Sequence, residues 1–125
     1  MCFSFEKLIV YQKAKEYVLL VYRLLKKFPG EEKYAMCDQL RRASTSVISN
    51  IAEGTSRQSV KEKAHFLDIA YGSLMETYSQ MDLSKELGYI TEDELQSIRI
   101  SVMELKNLLA ALKNSYISHS NPNNI

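Results

Sequence analysis

Three residue patterns in this 125-residue chain could do chemistry. Glu62-Lys63-Ala64-His65 is a Glu-x-x-His unit, which di-metal carboxylate bundles use on each of two helices, with one further Glu from each of two others. Ser44, Ser46 and Ser49 offer hydroxyl nucleophiles. Arg42, Ser46, Ser49, Asn50, Glu53 and Arg57 recur at helical spacing and could form a hydrogen-bond network or hold a phosphate. The first two patterns do not go further. Glu62 is accounted for by a helix cap that begins at Ser59, and the only other histidine, His119, falls close to the chain end. No histidine stands near the serines, and no nucleophile elbow, phosphate loop or dinucleotide fingerprint occurs. Cys2 and Cys37 show neither a C-x-x-C nor a repeated spacing, so neither a zinc site nor a disulfide scaffold is expected. The expectation is a protein without catalytic apparatus, metal or cofactor.

The polar pattern remains. Helix interiors tend to avoid Ser, Thr and Asn, whose side chains compete for backbone hydrogen bonds. Yet the stretch RRASTSVISNIAEGTSR, residues 41–57, concentrates them. At 100° per residue these polar side chains form a strip beside the apolar stripe Met36, Leu40, Ala43, Val47 and Ile51. A following segment supplies small residues at Ala70, Gly72, Ser73 and Thr77, with Glu76 beside them. A network fixing helix register is the main expectation, because buried charges need partners. Phosphate contact by Arg42 or Arg57 is the second.

Four amphipathic helices are needed to position these residues. The first spans about residues 5–27, with Ser4 as a plausible N-cap and Phe28-Pro29-Gly30 as its end. Its stripe is Val10, Ala14, Tyr17, Val21, Leu24 and Phe28. The second runs over residues 31–55, with Gly54 near its C-terminus, and the third over residues 59–87 from the capping box Ser59…Glu62. Thr91…Glu94 starts the fourth, in which Leu95, Ile98, Val102, Leu105, Leu109, Leu112 and Tyr116 alternate by three and four. Short links favour antiparallel neighbours. The fold class is all-α, an up-down-up-down four-helix bundle over residues 1–117, with 118–125 as a frayed tail.

The net charge of +1 excludes a strongly basic protein, but residues 1–30 hold six Lys/Arg against two Glu. Lys13, Lys15, Arg23, Lys26 and Lys27 oppose the core stripe of the first helix, where Ile9, Leu19 and Leu20 also fall. The longest apolar run, residues 17–22, is too short to span a bilayer, and Glu6 and Lys7 spoil any leader-like start. A cytoplasmic protein with no membrane contact is expected.

Gln39-Leu40-Arg41-Arg42-Ala43, Ser46, Asn50-Ile51-Ala52-Glu53-Gly54 and Arg57 together resemble a bacterial family. Phe66, Ala70-Tyr71-Gly72-Ser73-Leu74, Glu76 and Leu87-Gly88-Tyr89-Ile90 extend the match, so that it covers about residues 3–116. The family is that of the four-helix bundle proteins encoded in 23S ribosomal RNA intervening sequences, also labelled ribosomal-protein-like. It is similar to the accessory variability determinant of diversity-generating retroelements. The resemblance implies a homopentameric ring, a role in binding RNA or DNA, and no enzymatic activity; a dimer ranks second. This chain departs from the nucleic-acid-binding accessory proteins in being nearly neutral rather than strongly basic.

The nucleic-acid-binding candidates are therefore Lys13, Lys15, Arg23, Lys26, Lys27, Arg41 and Arg57. The polar network comprises Arg42, Ser46, Asn50, Glu53, Gly54, Arg57, Ser73 and Glu76. Structured RNA or DNA would be held by phosphate neutralisation, since no loop is expected to present aromatic rings for stacking. The alternative is a structural or protein-interaction scaffold with a protein partner and no nucleic acid.

Overall fold

A computed structural model describes residues 2–120. Among them lie four long helices: α1 (Ile9–Leu25), α2 (Met36–Ser56), α3 (Val60–Glu86) and α4 (Glu92–Ser120). Each packs against the next and α1 closes on α4, whereas the diagonal pairs do not approach closely along their backbones. Cross-helix pairs fix the directions. Ser46 meets Ser73 and Gln39 meets Gln80 across α2 and α3. Asp68 meets Lys113 across α3 and α4, and Lys13 and Lys27 meet Glu104 and Glu94 across α1 and α4. Tyr78 meets Arg99 as a second pair across α3 and α4; between the two pairs of each set one number rises as the other falls, so these neighbours are antiparallel and the chain runs up and down four times.

The expected stripes meet at the bundle axis. Val10, Ala14, Tyr17 and Val21 face Leu40, Val47 and Ile51, Leu67, Leu74 and Met81, and Leu95, Ile98, Val102 and Leu105, all buried. One polar link crosses this core. The Tyr17 hydroxyl lies 2.6 Å from Thr77 Oγ1, and Thr77 donates its own proton to the Leu74 carbonyl at 2.7 Å. Tyr17 is therefore the donor, and the bond joins α1 to α3 across the diagonal.

Helix ends differ from the sequence expectation where a cap is missing. Ser4 opens a separate 3-10 turn, Ser4–Lys7, and α1 starts only at Ile9 behind an uncapped Leu8. Gly30–Glu32 likewise forms its own 3-10 turn, so α2 begins at Met36 rather than near residue 31. Ser59 accepts from the Glu62 amide at 3.1 Å. Thr91 and Glu94 form the complete reciprocal box, at 2.8 and 3.1 Å. Gly88, at φ 83°, ends α3: its amide bonds Lys85 and that of Tyr89 bonds Ser84, the Schellman pattern that requires a left-handed residue. Helix α4 continues to Ser120, past the boundary expected at 117; the rest of the expected tail, 121–125, lies outside the described residues.

Candidate nucleic-acid interface

The five cations of α1 divide into two groups. Lys13 lies 3.4 Å from Glu104 and 3.6 Å from Glu16, and Lys27 lies 2.5 Å from Glu94. Glu104 and then Glu16 raise the Lys13 ammonium above its ordinary range. The Lys27 bond, followed by the Thr91 amide, lowers the Glu94 carboxyl. Both lysines thus fasten α1 to α4, and their charge is already matched.

Lys15, Arg23 and Lys26 have no carboxylate partner among the described residues. Lys15 rests over the Tyr11 ring at 5.3 Å. On the wheel Lys15, Tyr22 and Lys26 fall within about 40° of arc, on the side of α1 away from Lys13 and Lys27 and toward α2. On the side of α2 away from its Gln39 and Ser46 contacts with α3, Arg41, Thr45, Ile48 and Ala52 recur at helical spacing, none of them acidic. Arg41 is half-buried and donates to the Lys33 carbonyl at 2.9 Å, which holds the α1–α2 connection. That connection presents Tyr34, 84% exposed, with the Lys33 ammonium 5.4 Å from its ring centre. Tyr22 is also exposed. Contrary to the expectation of no aromatic loop, an aromatic ring does project from a connection. A helix starting near residue 31 would hold it in its first turns, and the late start of α2 at Met36 releases it.

The polar strip is not the buried charge network expected. Arg42 pairs with Asp38 at 3.2 Å and is 81% exposed at its side chain, while Glu53 pairs with Arg57. Both are one-turn i,i+4 pairs on α2 or its C-cap, facing solvent, and Arg42 and Glu53 do not pair with each other. Arg57 also lies over the Phe66 ring at 4.9 Å. What does cross between helices is a hydroxyl and amide ladder. Ser46 Oγ lies 2.9 Å from Ser73 Oγ, and Asn50 Nδ2 donates to Ser46 Oγ at 3.0 Å and to its carbonyl at 2.8 Å. Gln39, Arg42, Ala43, Ser46, Ser73 and Glu76 line a shallow groove of about 360 Å³ above it. Of the small residues expected at this contact, Ser73 is there, Ala70 and Thr77 belong to the core, and Gly72 is exposed.

Gly54 explains itself only in three dimensions. A Cβ there would stand 2.8 Å from Phe66 Cβ and 3.3 Å from the Lys63 carbonyl oxygen. It marks a close approach of α2 to α3 rather than a helix stop, and α2 continues past it to Ser56.

Among the described residues no group of three or more His, Cys, Asp or Glu is placed to hold a metal. Cys2 is exposed and Cys37 buried, both as free thiols. No helix of the described residues is long and apolar enough to cross a membrane.

The sequence profile described as 23S rRNA-intervening sequence protein matches residues 6–111. A crystal structure from Bacteroides thetaiotaomicron, described as a protein of unknown function from the S23 ribosomal protein family, superposes with a TM-score of 0.77. It is 29% identical, over 84% of this chain and 98% of that one. No curated protein matches.

Proposed function

We propose, from the premise that the chain belongs to the 23S rRNA-intervening sequence protein family, that it is a non-enzymatic cytoplasmic accessory module that binds structured RNA as a homo-oligomer. The observation that carries this reading is the set Lys15, Arg23 and Lys26 on the outer face of α1, unmatched by carboxylates among the described residues. Phosphates supply the complementary charge. Three cations make a weak grip, and repetition of the face around an oligomer adds effective concentration without new contacts. Exposed Tyr22 and Tyr34 offer ring faces to an unpaired base.

Titration of a labelled RNA hairpin and of a DNA duplex at several salt concentrations tests the reading. Binding should be weak and sequence-tolerant, with log affinity falling by about 0.9 per phosphate neutralised on a duplex. No shift at low salt would leave the second reading, a protein-interaction scaffold, for which the exposed Ile9 and Leu19 on the outer side of α1 speak.

A further inference from the structure

Helices α3 and α4 do not close on each other evenly. Between their two polar cross-links, Asp68 to Lys113 and Tyr78 to Arg99, each 2.8 Å long, a groove of about 320 Å³ opens to solvent. Leu67 and Leu109, both buried, form its floor, and the exposed Tyr71 and Ala110 form its sides. The dip has a simple origin. Ala110 stands on α4 between Met103, one heptad earlier, and Ile117, one heptad later. A single methyl thus falls between two long side chains along nearly the same line of the helix. An apolar floor with a few charged groups at the edge is the usual form of a small-molecule site, and such sites begin at about 300 Å³. An apolar cavity of about 150 Å³ already holds one benzene ring, so this groove has room for two fused rings.

Charge sets the polarity of the ligand. Lys106 and Lys113 both line the groove, two helical turns or about 10 Å apart on α4, against the single carboxylate of Asp68. Lys113 spends one of its three ammonium protons on Asp68. Lys106 has no carboxylate partner among the described residues. The edge therefore carries one cation in surplus. Tyr71 adds an aromatic side, 40% exposed, against which a ring packs edge-on or offset. We propose that this groove binds a small aromatic acid, its rings over Leu67 and Leu109 beside Tyr71 and its carboxylate at Lys106. The proposal rests neither on RNA binding nor on self-association.

Titration calorimetry of the full chain at low salt, with naphthoate and its neutral analogue naphthamide as probes, tests this. Naphthoate should bind with a Kd of about 0.1–1 mM, as suits a ligand of roughly a dozen non-hydrogen atoms. Naphthamide should bind about three- to fivefold more weakly, the worth of one partly exposed ion pair, and high salt should narrow that gap. Lys106→Gln should remove the preference for the acid. Asp68→Asn should widen it, because it deletes the opposing charge and frees Lys113. Ala110→Phe should abolish binding of both probes by filling the dip from an exposed position, with helical circular dichroism showing that the bundle still folds. No saturable binding of naphthoate at millimolar concentration would overturn the proposal. Equal affinity for acid and amide would overturn the role of the lysine, and binding that Ala110→Phe leaves intact would overturn the site.

Discussion

Replacing Gly54 by Ala should fail to stabilise the bundle, whereas the same change at Gly72 should succeed. Both glycines lie inside helices, where alanine is favoured by about 0.8–1.0 kcal/mol. Around Gly72 a built Cβ meets nothing within 4 Å, so that gain is realised. At Gly54 the methyl would stand 2.8 Å from Phe66 Cβ and 3.3 Å from the Lys63 carbonyl oxygen. Both atoms are fixed to the backbone of α3 or bonded directly to it, so no rotamer change relieves the clash and the helices must separate. Overpacking of this kind costs about 1–3 kcal/mol, which leaves Gly54→Ala between neutral and about 2 kcal/mol less stable than wild type. A chain of this size shifts its Tm by roughly 3–6 °C per kcal/mol. Thermal melts followed by helical circular dichroism should therefore place Gly54→Ala at least about 3 °C below Gly72→Ala. Adding Phe66→Ala should not rescue it, because alanine keeps the offending Cβ. If the two single variants melt together, above wild type, the close approach of α2 and α3 is not as described.

Three further outcomes follow from the packing. Thr77→Val should cost about 1–3 kcal/mol by stranding the buried Tyr17 hydroxyl, and Tyr17→Phe about 0.5–1.5 because Thr77 keeps its bond to Leu74; urea melts rank them. Burial pushes the Tyr17 phenol up to about 12, with the Thr77 bond pulling the other way. The unfolded chain then releases that proton near pH 10 while the folded one keeps it, so about 2–3 kcal/mol of stability is lost as pH rises from 10 to 12. Melts across that range should show a shallower decline for Tyr17→Phe than for wild type. Arg42→Ala and Glu53→Ala should each change stability by no more than about 1 kcal/mol, as exposed one-turn pairs do; a large drop in either melt would contradict the exposed placement.

The four helices and their inner stripes were legible because an amphipathic period records which face a helix buries. Leu95 to Leu109 needed no partner to be recognised. The two solvent pairs were legible in principle, since Asp38–Arg42 and Glu53–Arg57 stand at i,i+4; wheel proximity alone groups Arg42 and Glu53 in one network instead. Gly54 was not legible as a contact. What makes it necessary is Phe66, on another helix, and only the crossing of α2 and α3 brings the two together. The cations of α1 were the hardest. A wheel sets Lys13 and Lys27 on one flank of the core stripe and the other three farther out, yet nothing in α1 says that Glu94 and Glu104 will neutralise Lys27 and Lys13 while Lys15, Arg23 and Lys26 stay unmatched. That division follows from which helix closes the bundle, and it narrows the candidate interface to the outer cations of α1 that α4 does not hold.

The central claim is best tested by the salt slope of RNA-hairpin and duplex binding in two charge variants measured side by side. Changing Lys15, Arg23 and Lys26 to Gln should flatten the slope of log affinity against log salt by up to roughly 2–3 on a duplex and leave the melting temperature unchanged. Changing Lys13 and Lys27 to Gln should lower the melting temperature and leave the slope near its wild-type value, because those two charges are already held by α4. Equal flattening in both variants, or binding indifferent to salt, would contradict the account.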